Sequence, residues 1–122
     1  MRLTLDWDNI SKKEMVKRLE LVKNFFPFND IEVYLSASGK GFHVIVYNAS
    51  NDFDEILFFR RIFGDDLKRV KYDEIKHKIS KLVPTQILFD KKKGKYAKLI
   101  YKRSLKDKVR FYIKSIFPKL FA

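Results

Sequence analysis

The sequence has no cysteine and only two histidines among its 122 residues. The lack of cysteine excludes disulfide bonds and thiolate zinc sites, and two histidines are too few for a multi-histidine zinc site. Any bound metal would therefore be held mainly by carboxylates. Oxygen ligands of this kind favour Mg²⁺ or Mn²⁺.

Long apolar runs are also missing. No stretch approaches the roughly 20 apolar residues that span a bilayer, and nothing at the start resembles a signal peptide. We therefore expect no membrane span and a cytoplasmic protein. The length predicts one domain, and 46% hydrophobic with 34% charged residues is typical of a folded globular chain.

Acidic residues are nearly absent from the end of the chain. Residues 1–90 carry 15 Lys and Arg against 14 Asp and Glu, whereas residues 91–122 carry 12 Lys and Arg against Asp107 alone. A terminal third this basic indicates a polyanionic partner, nucleic acid first and an anionic membrane surface second. The alternative is a solvated basic tail that only maintains solubility.

A glycine-containing turn joins two alternating apolar patterns. Ile31, Val33 and Leu35 precede the stretch Ser36-Ala37-Ser38-Gly39-Lys40-Gly41-Phe42-His43, and Phe42, Val44 and Val46 follow the turn. The period of two predicts a β-hairpin, with both glycines permitting positive φ values. Alternation puts His43 on the face opposite Phe42 and Val44.

The first strand carries two carboxylates on one side. Leu3, Leu5 and Trp7 alternate with polar residues, so Asp6 and Asp8 point the same way. Two like charges this close repel unless a cation lies between them. Asp8-Asn9 could instead simply end the strand, but that alternative leaves Asp6 without a role.

Three helical patterns follow, and a charged cluster joins two of them. Ser11 and Glu14 form a capping box before the first helix, which Pro27 ends; the second helix runs from about residue 53 to 63; the third follows Asp65 or Asp66. The charged residues between the second and third helices favour a structural ion-pair network over a direct role in a site. They are Arg60, Arg61, Asp65, Asp66, Arg69 and Asp73.

These elements predict an α+β fold with a β-α-β-β-α-β arrangement, similar to RRM and ferredoxin-like folds. Its antiparallel sheet has helices on one face, the fourth strand is expected over 85–90, and the chain over 96–101 could return as a last strand. We expect one domain over 1–103 and, over 104–122, a basic amphipathic helix and tail that could dock on a partner or a second copy. The open face would carry Asp6, Asp8, Tyr34, Ser36, His43, Tyr47 and Asp90.

Three stretches together resemble the archaeo-eukaryotic primase superfamily, the primase-polymerases of archaea, their plasmids and their viruses. They are Asp6-Trp7-Asp8, the Ser36 to His43 element, and Phe89-Asp90. The similarity covers about residues 3–90, and the chain is shorter than the family's usual catalytic domain. This resemblance implies a minimal or partial member acting in DNA replication or repair.

The resemblance also implies residue roles. Asp6, Asp8 and Asp90 would hold two divalent cations, Mg²⁺ or Mn²⁺, that activate a 3′ hydroxyl and clamp the α-phosphate. Ser38, Lys40 and His43 would contact the triphosphate of the incoming nucleotide, and Asp73 competes with Asp90 as the third acid. Basic residues near the end would bind a DNA or RNA template; they are Lys91, Lys92, Lys93, Lys95, Lys102, Arg103 and Arg110.

Two other functions are compatible with the sequence. The first is a non-catalytic nucleic-acid-binding module on an RRM-like fold, which binds through the basic terminal third. The second is a replication-initiation nuclease with a tyrosine nucleophile such as Tyr112, although His43-Val44-Ile45 lacks the paired histidines such enzymes use. A P-loop is excluded, because no Ser or Thr follows Lys40 in Gly39-Lys40-Gly41.

Overall fold

The chain is an α+β protein built on a four-stranded antiparallel sheet with helices. The computed structural model describes residues 1–88, 91–92, 94–105 and 114–116. The first half has the order β1 (Leu3–Asp8), α1 (Lys12–Phe25), β2 (Ile31–Leu35) and β3 (Gly41–Val46). The second has α2 (Phe53–Ile62), α3 (Leu67–Ile79), β4 (Lys91–Lys92), β5 (Lys95–Tyr96) and β6 (Lys98–Arg103).

The strand order in the main sheet is β1-β3-β2-β6, and every neighbouring pair is antiparallel. The predicted hairpin is confirmed as β2 and β3, joined by the turn at 36–40. β4 and β5 form a separate two-stranded ribbon. The main sheet is therefore assembled from the first hairpin, with β1 and β6 on its two sides.

One face of the sheet packs on α1 and α2. Leu3, Leu5 and Trp7 are fully buried there, as the alternation in β1 predicts. The helices contribute apolar side chains to the same core, among them Leu19 of α1 and Ile56 of α2. Each large apolar side chain removed from water contributes about 1.5–3 kcal/mol. This core fixes which way the remaining side chains of β1 and β3 point.

The ends of the helices follow from their sequences. The Ser11 hydroxyl accepts a hydrogen bond from Glu14 N–H (3.1 Å), which satisfies a free donor at the start of α1. Asp66 caps α3 in the same way, accepting from the N–H groups of Lys68 and Arg69. Gly64 separates α2 from α3 with a φ of +78°, a conformation that favours glycine.

The predicted strand over 85–90 is wrong for the part that the structure describes, and the ferredoxin-like order is not confirmed. Residues 85–88 form no strand, and Phe89 and Asp90 lie outside the described residues. Gln86 instead pairs with the edge of β1 through its side chain. Its amide oxygen accepts from Thr4 N–H (2.8 Å), and its amide nitrogen donates to Arg2 C=O (2.7 Å).

The edge of β1 is closed further along by two other side chains. Arg69 donates to Thr4 C=O (3.3 Å), and the Asp65 carboxylate accepts from Asp6 N–H (2.8 Å). Exposed strand edges are templates for pairing with other chains, and covering them with polar side chains prevents this. Side chains thus occupy the place beside β1 where a further strand could pair.

The face opposite the helices is less open than the sequence predicts. Thr4 is fully buried, and His43 and Ile45 are only 7% and 9% exposed. The cause lies in three described residues: Gln86 hydrogen-bonds to Thr4, and Leu88 and Ala97 line a pocket together with Ile45. Only part of this face can therefore receive a ligand.

The last described strand anchors the end of the domain. Arg103 of β6 is buried, and its guanidinium donates to the carbonyls of Phe26 and Asn29 after α1. The predicted C-terminal helix lies outside the described residues except for a helical piece at 114–116. In the described part of the chain, no helix combines the length and apolar character needed to cross a membrane.

Candidate functional site

Asp6, Asp8 and His43 are brought together by the pairing of β1 with β3. Asp6 lies opposite His43 in the register, and Asp8 lies opposite Gly41. The distance from His43 Nε2 to Asp6 Oδ1 is 3.5 Å. All three side chains project from the face away from the helical core, as the alternation predicts. The sequence thus placed these three residues on one surface correctly.

The Asp6 carboxylate is the most perturbed acid of this group. Burial raises its pKa to about 7, repulsion from Asp8 adds to the shift, and the charge of Arg69 opposes it. Asp6 Oδ1 is buried and has no hydrogen-bond partner. A carboxylate oxygen that is buried without a donor is costly unless a proton or a cation occupies it. The Asp6 carboxylate therefore favours binding of a proton or a cation.

His43 carries no charge at neutral pH. Burial lowers the pKa of its imidazole, and the nearby Arg69 guanidinium lowers it further, against a smaller opposite effect of Asp8. A neutral imidazole offers one N–H donor and one nitrogen acceptor. It can donate a hydrogen bond to an anionic oxygen without the desolvation cost of a buried cation.

Below this site lies a buried ion-pair network formed by Arg60, Asp65, Arg69 and Asp73. Arg60 Nε is 2.6 Å from Asp65 Oδ2, and Arg60 Nη1 is 2.8 Å from Asp73 Oδ2. Arg69 Nη1 is 2.7 Å from Asp65 Oδ2. The structure confirms the predicted ion-pair network between helices. Asp73 belongs to this network: its carboxylate pairs with Arg60 and accepts a hydrogen bond from Gln86 N–H (2.9 Å).

Two residues of the network, Asp65 and Arg69, also interact with Asp6 or His43, although the sequence analysis did not assign them to the site. The Asp65 carboxylate accepts a hydrogen bond from Asp6 N–H, and the charge of Arg69 lowers the pKa values of both Asp6 and His43. No local pattern identifies this role, because Asp65 and Arg69 meet β1 only after α2 and α3 have folded back. The dense alternation of opposite charges after residue 60 was the one available signal.

The turn beside the site is shaped by its serines and glycines. Ser36 Oγ accepts from Gly41 N–H (3.1 Å), and Ser38 Oγ accepts from Lys40 N–H (3.3 Å). Gly39 has the predicted positive φ, +74°, but Gly41 is needed for another reason. A Cβ on Gly41 would lie 2.5 Å from Trp7 C=O and 3.2 Å from Asp8 Oδ1. Ser38 and Lys40 are exposed at the end of the sheet that carries Asp8.

The fit to a divalent cation is tested by the donors present. Within residues 1–88, 91–92, 94–105 and 114–116, no group of three or more His, Asp or Glu side chains could hold a metal. Asp90, the predicted third ligand, lies outside the described residues. Mg²⁺, however, is commonly held by one or two carboxylates together with substrate phosphates and water. Asp6 and Asp8, with the unpaired Asp6 Oδ1, fit that smaller requirement.

The predicted nucleic-acid-binding residues separate into three groups. Lys95 and Lys102 are exposed on β5 and β6. Arg103 is buried and hydrogen-bonded to carbonyls, so its guanidinium stabilises the fold instead of facing a ligand. The remaining positions lie outside the described residues or have undescribed side chains; they are Lys91, Lys92, Lys93 and Arg110. Tyr112 also lies outside.

Comparison of the chain with models of known protein families, with curated proteins and with solved structures finds no significant match.

Proposed function

We propose that the chain is a primase-polymerase-like nucleotidyl transferase that uses divalent metal ions in replication or repair. The observation that carries the proposal is the buried Asp6 Oδ1, which accepts no hydrogen bond and lies 3.5 Å from His43 Nε2 on the face that it shares with Asp8. Unless a proton or a cation occupies this oxygen, a buried acceptor without a partner remains in the fold, which is costly. The motif resemblance supplies the reaction type, and the geometry supplies a reason for these side chains to meet.

Asp6 and Asp8 would hold the metal, with Asp90 as a third acid. Bound Mg²⁺ or Mn²⁺ would lower the pKa of an attacking 3′ hydroxyl and stabilise charge at the α-phosphate. Asp6 loses its proton on binding, since a carboxylate must be ionised to act as a ligand. Asp65 keeps the β1 backbone at Asp6 in position by accepting its N–H.

Triphosphate contacts are assigned to His43, Ser38 and Lys40. Neutral His43 would donate one hydrogen bond to a phosphate oxygen, which suits its lowered pKa. The exposed Lys40 ammonium and the Ser38 hydroxyl lie on the turn next to Gly41, opposite Asp8 in the register. A triphosphate there would meet a cation and two donors near the metal-binding carboxylates.

The finer architecture belongs to the same proposal. It includes a ferredoxin-like arrangement that extends to Asp90, a basic helix over 104–122 and a cytoplasmic location, where nucleoside triphosphates and templates are present. A partner protein or a second copy would dock on the basic helix.

The proposal is tested by metal-dependent incorporation of labelled nucleotides on primed and unprimed single strands. Replacing Asp6 and Asp8 together with Asn removes the metal ligands at nearly constant volume. Metal stabilisation of the transition state is worth several kcal/mol, so we expect incorporation to fall by about 10³-fold or more. Incorporation that survives the double substitution, or proceeds fully in EDTA, would overturn the proposal.

The second candidate is a non-catalytic nucleic-acid-binding module. It is favoured by the charge of residues 91–122 and by the exposure of Lys95 and Lys102. Phosphate contacts release counterions, so each lost contact lowers the slope of log affinity against log salt by about 0.7–0.9. Lys95→Gln with Lys102→Gln should weaken binding to all sequences alike. Binding without incorporation would select this function over the first.

A further inference from the structure

A pocket of about 310 Å³ lies next to His43, on the side away from the Ser36–Gly41 turn. Its floor is formed by the sheet, with His43 and Ile45 from β3 and Tyr34 from β2. Leu88 and Tyr96 line it from the chain that covers this face. The volume falls at the small end of the range of about 300–1,000 Å³ that is typical of small-molecule sites.

The chemistry of the walls changes along the pocket. Tyr34 and Tyr96 supply two aromatic rings, and Ile45 and Leu88 supply aliphatic surface. Aromatic side chains of this kind stack on nucleobases, and apolar surface accepts the base without demanding hydrogen bonds. Arg2 adds donors at the rim, where one nitrogen already reaches Gln86 C=O (3.4 Å).

His43 connects this pocket with the acidic pair. Its imidazole lines the pocket and also lies 3.5 Å from Asp6 Oδ1. Along β3, Gly41 lies opposite Asp8 and Ile45 lies opposite Thr4, so the pocket and the turn are on opposite sides of His43. A ligand that is planar at one end, and whose phosphates at the other end share a divalent cation with the acidic pair, would match this succession.

We propose that the pocket binds the base and sugar of a mononucleotide, with its phosphates directed past His43 toward Asp6 and Asp8. The inference deepens the proposed function and rests on its nucleotide site. A mononucleotide is favoured over a base of a strand, because His43 ends the pocket at the assigned phosphate position. Tyr34 and Tyr96 then determine affinity for the base, a task that the metal-binding residues do not perform.

The test uses 2-aminopurine riboside and its 5′-triphosphate, whose fluorescence is quenched by stacking. The riboside is titrated in EDTA, so that neither phosphate nor metal contributes. We expect quenching by the full chain, and about tenfold weaker binding of both probes to Tyr34→Leu and to Tyr96→Leu. Tyr96 is 67% exposed and lies in the separate β4–β5 ribbon, so we expect its replacement to disturb the main sheet less than that of Tyr34.

Tyr72→Leu on α3 is the matched control, because Tyr72 is 66% exposed and does not line this pocket. Binding to the two pocket variants that equals wild type would overturn the inference. Quenching of a single-stranded octamer containing 2-aminopurine, with neither mononucleotide probe quenched, would also overturn it.

The two proposals fail separately. If the riboside binds as expected but no nucleotide is incorporated, the pocket assignment stands and the polymerase function does not. If nucleotide is incorporated with an unchanged KM in both pocket variants, the function stands and the pocket assignment does not.

Discussion

The protein contains two pairs of acidic residues: Asp65 and Asp73 in the ion-pair network, and Asp6 and Asp8 on β1. Asp65 accepts a hydrogen bond from the backbone of Asp6, but the carboxylates of the two pairs differ in their counter-charges. Asp65 and Asp73 are only 3% and 4% exposed, yet each pairs with an arginine within 2.8 Å. Asp6 is less buried, with 21% of its side chain exposed, yet its Oδ1 has no hydrogen-bond donor and its pKa rises to about 7. Depth of burial therefore does not distinguish them.

The difference lies in what the fold provides as a counter-charge. A buried charge with partners is a fixed part of the structure, whereas a buried charge without one marks a place prepared for a ligand. The ion-pair network holds the backbone of Asp6 through Asp65 but donates no hydrogen bond to Asp6 Oδ1. We interpret the network as the support and the acidic pair as the site.

The largest expected effect comes from breaking the paired group. Arg60 is fully buried and contacts both Asp65 and Asp73, so Arg60→Ala leaves two carboxylates without their main counter-charge. We expect the free energy of unfolding in urea to fall by about 3–5 kcal/mol.

Arg61→Ala is the matched control for that measurement. Arg61 is adjacent in sequence, and its pair with Glu74 is on the surface, so the expected loss is about 0–1 kcal/mol. Equal losses for the two variants would show that the buried network does not stabilise the fold as described.

Disturbing the close approach of β3 to β1 at Gly41 should destabilise the protein less than Arg60→Ala does. Gly41→Ala puts a Cβ 2.5 Å from Trp7 C=O and 3.1 Å from Asp8 Cα, which forces the two strands apart at the acidic pair. We expect a loss of about 1–3 kcal/mol in urea unfolding, together with weaker metal binding.

Gly39→Asn is the control for the turn. Gly39 has a φ of +74°, no atom lies within 4 Å of the position that a Cβ would take there, and asparagine tolerates this conformation. The variant should fold nearly as well as wild type. A Gly41→Ala protein of unchanged stability would contradict the strand geometry at Asp8.

The smallest expected change in the free energy of unfolding is that of Asp6→Asn, and it is a gain in stability instead of a loss. The pKa of Asp6 is raised in the folded state, from 3.8 to about 7, so the folded protein holds this proton more tightly than the unfolded chain. Its contribution to stability is therefore greatest below about pH 4 and is lost as the pH rises to 7. Asp6→Asn should be more stable than wild type at pH 8 and should lose this advantage toward pH 4.

Asp65→Asn provides the comparison, since it removes a paired charge and should destabilise the protein at pH 8. Urea unfolding at pH 4, 6 and 8 measures both variants. If Asp6→Asn and Asp65→Asn shift the stability at pH 8 in the same direction, the distinction between support and site fails.

The sequence predicted the shared face of Asp6, Asp8 and His43 more completely than it predicted the order of strands in the sheet. Strict alternation in β1 and β3 fixed the shared face of Asp6, Asp8 and His43, because a core on one side leaves only one orientation. The starts of α1 and α3 followed from Ser11 and from the pair Asp65-Asp66, of which Asp66 is the cap; the capping side chains act within three residues. These are local effects, which residue patterns report directly.

What the sequence did not predict depends on contacts between distant segments. The apolar residues around Gln86 look like a strand, but Gln86 has a φ of +59° and pairs with β1 through its amide. The pairing of β6 with β2 joins residues about 70 positions apart, and no local pattern chooses between the two sheet edges. Arg103 is similar: a cationic residue in a basic segment, it is used to hold the carbonyls after α1.

The most direct test of the central claim is Mn²⁺ binding to the full chain, measured by the loss of the free-ion electron paramagnetic resonance signal at pH 5.5 and pH 8. The account predicts binding at pH 8 that weakens by about tenfold per pH unit below pH 7, because Asp6 must lose its proton, and that is absent in Asp6→Asn. Equal Mn²⁺ affinity in wild type and Asp6→Asn, or the same affinity at both pH values, would contradict it.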